Sequence, residues 1–308
     1  MSQNHASLVL SLAEHQKPAL ALAQHLKADV AQIDVHQFPD GESLIRLPPR
    51  MPRYVNIFCS LDHPNEKLIN LLFAAKAARK SGAELITLVA PYLCYMRQDK
   101  AFHPGEAVSQ QIIGEFIASF CDALVTVDSH LHRTPKLSEA IPVQFATNLS
   151  AARLISEFLG KHIHRPLLLG PDEESRQWVS KVAEPSKLAY QVAQKTRGGD
   201  RDVMIELPKF DFRGHNVVIV DDVASTGVTL ATAAKTLKKV GVNKVHAFVT
   251  HALFAEGACE AIHNAGVDRI WSTDTISHRT NAVTISPLLA EAVEKLRFNL
   301  EGEAVKPS

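Results

Sequence analysis

The 308-residue sequence has no surplus of either charge, since 33 lysines and arginines meet 33 aspartates and glutamates. A sequence-independent nucleic-acid binder carries a basic excess to neutralise phosphates, so this balance argues against that class and leaves room only for local basic pockets. Cysteine is scarce. Cys59, Cys94, Cys121 and Cys259 form no C-x-x-C pair and lie mostly in apolar segments, which points to core thiols in a reducing compartment rather than disulfides or zinc ligands. With 14 glycines and 16 prolines, the chain also lacks the bias of collagenous or low-complexity proteins. Nowhere do about eighteen apolar residues run together, and Met1-Ser2-Gln3-Asn4-His5 shows no basic stretch leading into an apolar one. The expectation is a cytoplasmic protein with neither membrane nor nucleic acid as partner.

What is present is an ordinary globular composition, 46% apolar and 21% charged, in a chain longer than one core usually fills. Short β-branched runs alternate with helical patterns, the signature of parallel sheets covered by helices. The runs 85–89, 124–127, 167–169, 217–220 and 245–249 read as buried strands. Helical spacing over 66–80 stops at Gly82, and over 230–239 it stops at Gly241, each a C′ glycine. Those two endings echo each other. Ala74-Ala75-Lys76, Arg79-Lys80 and Gly82 precede one strand as Ala233-Ala234-Lys235, Lys238-Lys239 and Gly241 precede another. A fainter echo pairs the strand ending in Asp128 with the one ending in Asp274. We read two related domains, 1–147 and 148–308, joined near Asn148 where a strand gives way to a helix over 150–159.

The strongest chemical signal runs from Val217 to Thr229. Four apolar residues make a buried strand, Asp221-Asp222 follow, and Ser225-Thr226-Gly227-Val228-Thr229 turn the chain into a helix. Open α/β sheets bind ligands at this carboxyl edge, and backbone N–H groups at a helix N-terminus favour a phosphate. The acidic pair would repel that phosphate unless it holds sugar hydroxyls or a metal-bound ribose. The plainer alternative is a helix cap supplied by Ser225 or Thr226.

Other segments also carry chemistry. Phe38-Pro39-Asp40-Gly41-Glu42 offers an aromatic face and carboxylates on a turn, suited to adenine and equally to a solvated hairpin tip. Arg97-Gln98-Asp99 follow an extended segment after the strand 85–89, where Arg97 would grip phosphate bidentately. Asp128-Ser129-His130-Leu131-His132 and Pro171-Asp172 both follow buried strands; a carboxylate there suits Mg²⁺ better than a histidine does. His132, His162 and His164 take the ordinary reading of solvated histidines. Lys195 and Arg197 lie on the connection between strands 188–194 and 203–207, beside Gly198 and Gly199, which suits two cations that neutralise a transferring phosphate and equally a solvated hairpin tip.

The strand, acidic pair and hydroxyl turn resemble the phosphoribosyl diphosphate (PRPP) motif of the type I phosphoribosyltransferase fold. Taken with 38–42, 91–100, Pro104-Gly105-Glu106 and 195–197, the chain resembles the ribose-phosphate diphosphokinases, the PRPP synthetases, in wording closer to their archaeal-type branch. The resemblance implies an α/β protein of two tandem phosphoribosyltransferase-like domains, each a mainly parallel sheet flanked by helices. It implies transfer of the β,γ-diphosphoryl group of ATP to ribose 5-phosphate, with Mg²⁺ as cofactor. Phe38, Asp40, Glu42, Arg97, Gln98, Asp99 and His130 would then hold ATP, the 38–42 loop reaching the ATP of a neighbouring subunit. Asp221, Asp222 and Ser225 to Thr229 would hold ribose 5-phosphate, His130 and Asp172 would serve the metal, and Lys195 and Arg197 would be catalytic. A homo-oligomer, dimer or higher, follows from the shared ATP site.

Three departures stand out. Glu173-Glu174-Ser175 replace a usual glycine and would hinder phosphate approach; Val228 replaces a second glycine; His132-Arg133-Thr134-Pro135 replace a glutamine- and phenylalanine-rich stretch. Glu173 and Glu174 suit a non-catalytic regulatory subunit of the same family, although the retained His130, Asp172, Lys195 and Arg197 speak for an enzyme.

Overall fold

The computed structural model describes residues 7–101, 103–131, 134, 136–197 and 203–303. The chain forms two compact units, one built from 1–149 with 286–308 and the other from 150–285. In chain order the first runs β1 Ser7–Ser11, α1 Gln16–Leu26, β2 Asp29–Gln32, β3 Asp34–Gln37, β4 Ser43–Arg46, β5 Tyr54–Phe58, α2 Pro64–Lys80, β6 Leu85–Val89, α3 Ser109–Ala118, β7 Ala123–Val127, α4 Leu137–Ala140 and β8 Phe145–Leu149. The second runs α5 Ala152–His162, β9 Pro166–Gly170, α6 Arg176–Ala183, β10 Ala189–Val192, β11 Gln194–Arg197, β12 Val203–Glu206, β13 Asn216–Ala224, α7 Val228–Lys239, β14 Lys244–Ala252, α8 Ala258–Asn264, β15 Arg269–Thr273 and β16 Asn281–Val283. Helix α9, Ser286–Glu303, closes the described chain.

Both units carry a six-stranded parallel sheet of the same order, β2-β1-β5-β6-β7-β8 and β10-β9-β13-β14-β15-β16. Each also has a two-stranded antiparallel hairpin, β3-β4 or β11-β12, leaving the edge strand β2 or β10 after one buried residue, Ile33 or Ala193. Register makes the kinship residue-specific. Leu10, Ile57, Leu88 and Leu124 align in a row across the first sheet, as Leu169, Ile219, Ala247 and Ile270 do across the second. With these rows superposed, Gly82 matches Gly241 and Asp128 matches Asp274, the same correspondences that the sequence echoes. Both glycines lie just past a helix with positive φ, +115° and +89°, as a C′ residue requires.

The strands read as unbroken apolar runs because both of their faces are covered. In the first unit one face packs on Leu68, Leu71, Ala74, Ala75 and Ala78 of α2, where alanines let the helix approach closely. The other face lies under α1 and α9. In the second, Val217, Ile219, Val245 and Ala247 pack on Leu230, Ala233, Ala234 and Leu237 of α7. Fully burying one such Leu or Ile is worth about 1.5–3 kcal/mol.

The boundaries differ from the sequence expectation in three places. The second unit starts at Ser150, and α9 packs on α1, β7 and β8 of the first unit rather than with the second. An amphipathic helix records which of its faces is apolar but not which sheet will cover that face. Strand β13 continues through Asp221 and Asp222 to Ala224, because β14 extends beside it to Ala252. Lys195 and Arg197 stand within strand β11, paired to β12, instead of on the connection between strands. All four cysteines are buried free thiols, and burial pushes those of Cys94 and Cys121 up to about 12.

Candidate active site

At the carboxyl edge of the second sheet the main chain leaves β13 through Ser225 and Thr226 and enters α7 at Gly227. Gly227 has φ +74°, and a Cβ there would lie 2.8 Å from Ile262 Cδ1, so both backbone and space call for glycine. Neither Ser225 nor Thr226 caps the helix with its side chain, so the plainer alternative of a hydroxyl cap is not what forms. The start of α7 thus keeps its N–H groups and the positive end of its dipole for an anion. Val228 is 41% exposed and Thr229 half-buried at the same end.

Beside this turn, β13 carries Asp222 with only 4% exposure and Asp221 half-buried. Burial, the Asp222 charge and the Asp172 charge together hold the Asp221 carboxyl well above the usual carboxylate range, against a smaller pull from Lys195. Asp172 follows β9. Its Oδ1 accepts the Ser175 N–H at 2.9 Å, and its Oδ2 accepts Lys195 Nζ at 3.1 Å, with the two side chains only 16% and 13% exposed. The structure therefore brings Asp172, Lys195, Asp221 and Asp222 together at one sheet edge. Arg197 shares β11 with Lys195, while Gly198 and Gly199 lie outside the described residues.

Both neighbouring glutamates, Glu173 and Glu174, are exposed. Glu173 is exposed and forked onto Arg176, its Oε2 accepting Nη2 at 2.9 Å, and those bonds hold its carboxyl below the ordinary range. Of the two glutamates expected to repel phosphate, Glu173 has its charge met by Arg176.

The first unit presents the other candidates separately. Its hairpin tip closes with Phe38 N–H donating to Glu42 O at 2.8 Å and Gly41 at φ +91°; Phe38 is 39% exposed, and Asp40 and Glu42 are exposed. Arg97, Gln98 and Asp99 lie beyond β6, anchored where Gln98 Oε1 accepts Ser109 Oγ–H at 2.6 Å and Gln98 O accepts the Gln110 N–H. Arg97 is exposed beside them. Asp128, 4% exposed, adopts φ +39° and delivers Ser129 and His130 from the end of β7. His132, Arg133 and Pro135 lie outside the described residues.

Sequence inspection passed over two supports of this edge. Ser175 fixes Asp172, a pairing legible in the Asp-x-x-Ser spacing that favours side-chain to backbone bonds. His251, 3% exposed, stands beside Val223 and bonds Thr275 Oγ1 at 2.9 Å, while Thr275 and Thr273 donate to Thr250 O. Thr250 and His251 lie near the carboxyl end of β14, Thr273 ends β15 and Thr275 follows it, all at the edge that carries the acidic pair. Among the described residues no three His, Cys, Asp or Glu side chains converge as a ready-made metal cage. No described helix is long and apolar enough to cross a membrane.

Two family models divide the chain much as the structure does. The N-terminal domain of ribose phosphate pyrophosphokinase matches residues 7–120, and the phosphoribosyl transferase domain matches 146–285. A ribose-phosphate pyrophosphokinase of Methanopyrus kandleri is 35% identical over 292 residues, covering 94% of this chain and 99% of that protein. The chain belongs to the ribose-phosphate pyrophosphokinase family. Relatives of the same name from Thermococcus kodakarensis, 32% identical over 85% of this chain and 92% of that one, and from Archaeoglobus fulgidus, 34% over 90% and 98%, are also archaeal. The fold agrees with the phosphoribosylpyrophosphate synthetase structure from Mycobacterium smegmatis, with a TM-score of 0.82 at 22% identity, over 95% of this chain and 99% of that one. The archaeal-type resemblance and the two-domain α/β reading are thus the family's own.

Proposed function

We propose that this chain transfers the β,γ-diphosphoryl group of ATP to the C1 hydroxyl of ribose 5-phosphate, giving PRPP and AMP. The observation that carries the reading is the junction of β13 with α7, where a buried acidic pair runs into a helix start left uncapped by any side chain. The backbone of Ser225 to Thr229 receives the 5-phosphate at that helix start, and Asp221 and Asp222 accept hydrogen bonds from ribose hydroxyls. Arg97, Gln98, Asp99 and His130 take ATP, and the exposed tip with Phe38, Asp40 and Glu42 reaches the nucleotide of a second copy, which makes the active form a homo-oligomer. Lys195 and Arg197 neutralise charge as the diphosphoryl group leaves AMP.

The donor set fits a hard divalent cation, since Asp172 Oδ2 is a half-enclosed carboxylate oxygen that already holds a cationic group, the Lys195 ammonium. Mg²⁺ on Asp172 would supply charge neutralisation for the phosphates, and His130 is the metal candidate that the first unit presents by itself. With the pure protein, ATP, Mg²⁺ and ribose 5-phosphate, AMP and PRPP should appear in equal amounts without ADP. Ribose 5-phosphate-dependent ADP release would mean a simple kinase, and no turnover would leave a non-catalytic subunit.

A further inference from the structure

The acid proposed to serve the metal and the lysine proposed to serve the transition state are bonded to each other. Asp172 has two oxygens. Oδ1 is committed to the Ser175 N–H at 2.9 Å, which leaves Oδ2 as the one that holds Lys195 at 3.1 Å. Asp221, on the adjacent strand, is near enough to feel the charges of both Asp172 and Lys195 as well as that of Asp222. Acidic neighbours thus outweigh the one ammonium around Asp221, and the cluster favours further positive charge. A divalent cation arriving at Oδ2 meets the ammonium as a like charge at contact range, and their repulsion favours exchange over sharing. A lysine held there cannot also reach a diphosphoryl group.

We propose that Lys195 and the divalent cation compete for Asp172 Oδ2, so that the lysine is parked on the acid in the resting protein and released toward the phosphates when the cation binds. This rests on the metal and lysine roles given above and adds the order of events. The cation does two things in one exchange, neutralising Asp172 and freeing Lys195, so a lysine that would hold ATP phosphates unproductively stays engaged until the metal is present. The side chain sits near the start of β11, two residues after Ala193 leaves the sheet, so rotation about its own four-carbon stem moves the charge without breaking the β11-β12 ladder.

The test is metal binding without nucleotide. Mn²⁺ alone is titrated into wild type, Lys195→Ala, Lys195→Met, Asp172→Asn and the Lys195→Ala/Asp172→Asn double variant, with free Mn²⁺ read by electron paramagnetic resonance. Lys195→Ala and Lys195→Met should bind Mn²⁺ about tenfold more tightly than wild type, the loss of one competing cation. Asp172→Asn should bind weakly, and the double variant should show no gain over it. As a measurement on the intact side chain, the ¹³C-dimethyl-lysine resonance of Lys195, assigned by its loss in Lys195→Arg, should shift when Mg²⁺ alone is added. Equal Mn²⁺ affinity in wild type and both lysine variants, or a Lys195 resonance unmoved at saturating Mg²⁺, overturns the exchange. The PRPP assay stays independent: its failure with the linkage intact would sink the reaction, and its success without the linkage would sink only the parking.

Discussion

Both sheets carry a lysine at the same carboxyl edge, and the two are held differently. In the first unit Lys67 Nζ, on α2, meets Glu14 Oε1, Asp62 Oδ1 and Ser60 O, each at 3.0 Å. Its partners fill the three directions an ammonium can donate. In the second unit Lys195 has Asp172 Oδ2 at 3.1 Å, although it is enclosed to nearly the same degree, 13% against 11%. Superposing the strand registers places Cys59-Ser60 where the second unit has Asp221-Asp222, and Val35, packed against the first core, where it has Lys195. Burial alone therefore does not mark a cation for chemistry. A lysine saturated by its own fold braces the structure, while one held by a single acid keeps donors to spare, as the role proposed for Lys195 requires.

The sharpest way to break this contrast is to remove each lysine. Lys195→Ala should lower kcat by about 10²–10³ with little change in KM for ATP, as expected for a charge acting on the transition state, while thermal unfolding moves little. Unchanged kcat in steady-state kinetics would return Lys195 to a structural role. Lys67→Met should do the reverse, costing about 2–3 kcal/mol in a denaturant titration; a fully buried pair would cost more, but Glu14 faces solvent. Its kcat should stay near wild type, and a large kinetic loss without a stability loss would reverse the assignment.

The two helix starts sharpen the comparison further. Helix α7 begins at Gly227 with φ +74°, whereas α2 begins at His63 with φ +49°, a left-handed conformation that costs a side-chain-bearing residue energy. Gly227→Ala should destabilise by about 1–3 kcal/mol and raise KM for ribose 5-phosphate, since the new Cβ meets Ile262. His63→Gly should stabilise by about 0.5–1 kcal/mol. Denaturant midpoints of opposite sign are the expected result, and loss from both would mean that His63 has partners worth more than its strain.

The smallest effect is a pair of opposed pH slopes. Burial, aided by the Lys67 charge, lowers the His15 pKa below 6.5, so the unfolded chain binds its proton more readily. Stability from His15 is therefore whole above 6.5 and declines as pH falls toward the lowered folded value. Asp221 behaves in the opposite sense: its folded value is raised well above 3.8, so its contribution is whole below 3.8 and is lost as pH rises through the raised value. His15→Phe should flatten the acid side of a stability-versus-pH curve and Asp221→Asn the neutral side. If neither variant changes its slope, those environments are misread.

Much of this was legible in the chain because parallel strands buried on both faces announce themselves as apolar runs. Leu85 to Val89 is a strand over the same residues that the run marks, and Gly82 and Gly241 end their helices where read. The acidic pair was visible for the same reason, standing at the end of such a run. Bonds between distant residues were not visible. Lys195 meets Asp172 from 23 positions away, and Lys67 meets Glu14 across the sheet edge, and no local period encodes either. The hairpins were misjudged at Lys195 because alternating residues on a short two-stranded ladder look like a polar connection when one strand is only four residues long.

Helix α9 has a consequence for how the molecule is made. It covers the α1 side of the first sheet, yet it is encoded after the whole of 150–285. During synthesis the first sheet emerges early with that face incomplete, and the second unit must be translated before the missing layer reaches it. The second unit behaves in this respect as an insertion within the first, and a ribosome working at about 5–20 residues per second leaves the gap open for roughly ten seconds or more. Helix α1, which packs on α9, keeps that flank uncovered until then. Nascent chains stalled before Ser286 should accordingly recruit holdase chaperones, and those stalled far enough beyond Glu303 for the helix to clear the exit tunnel should release them.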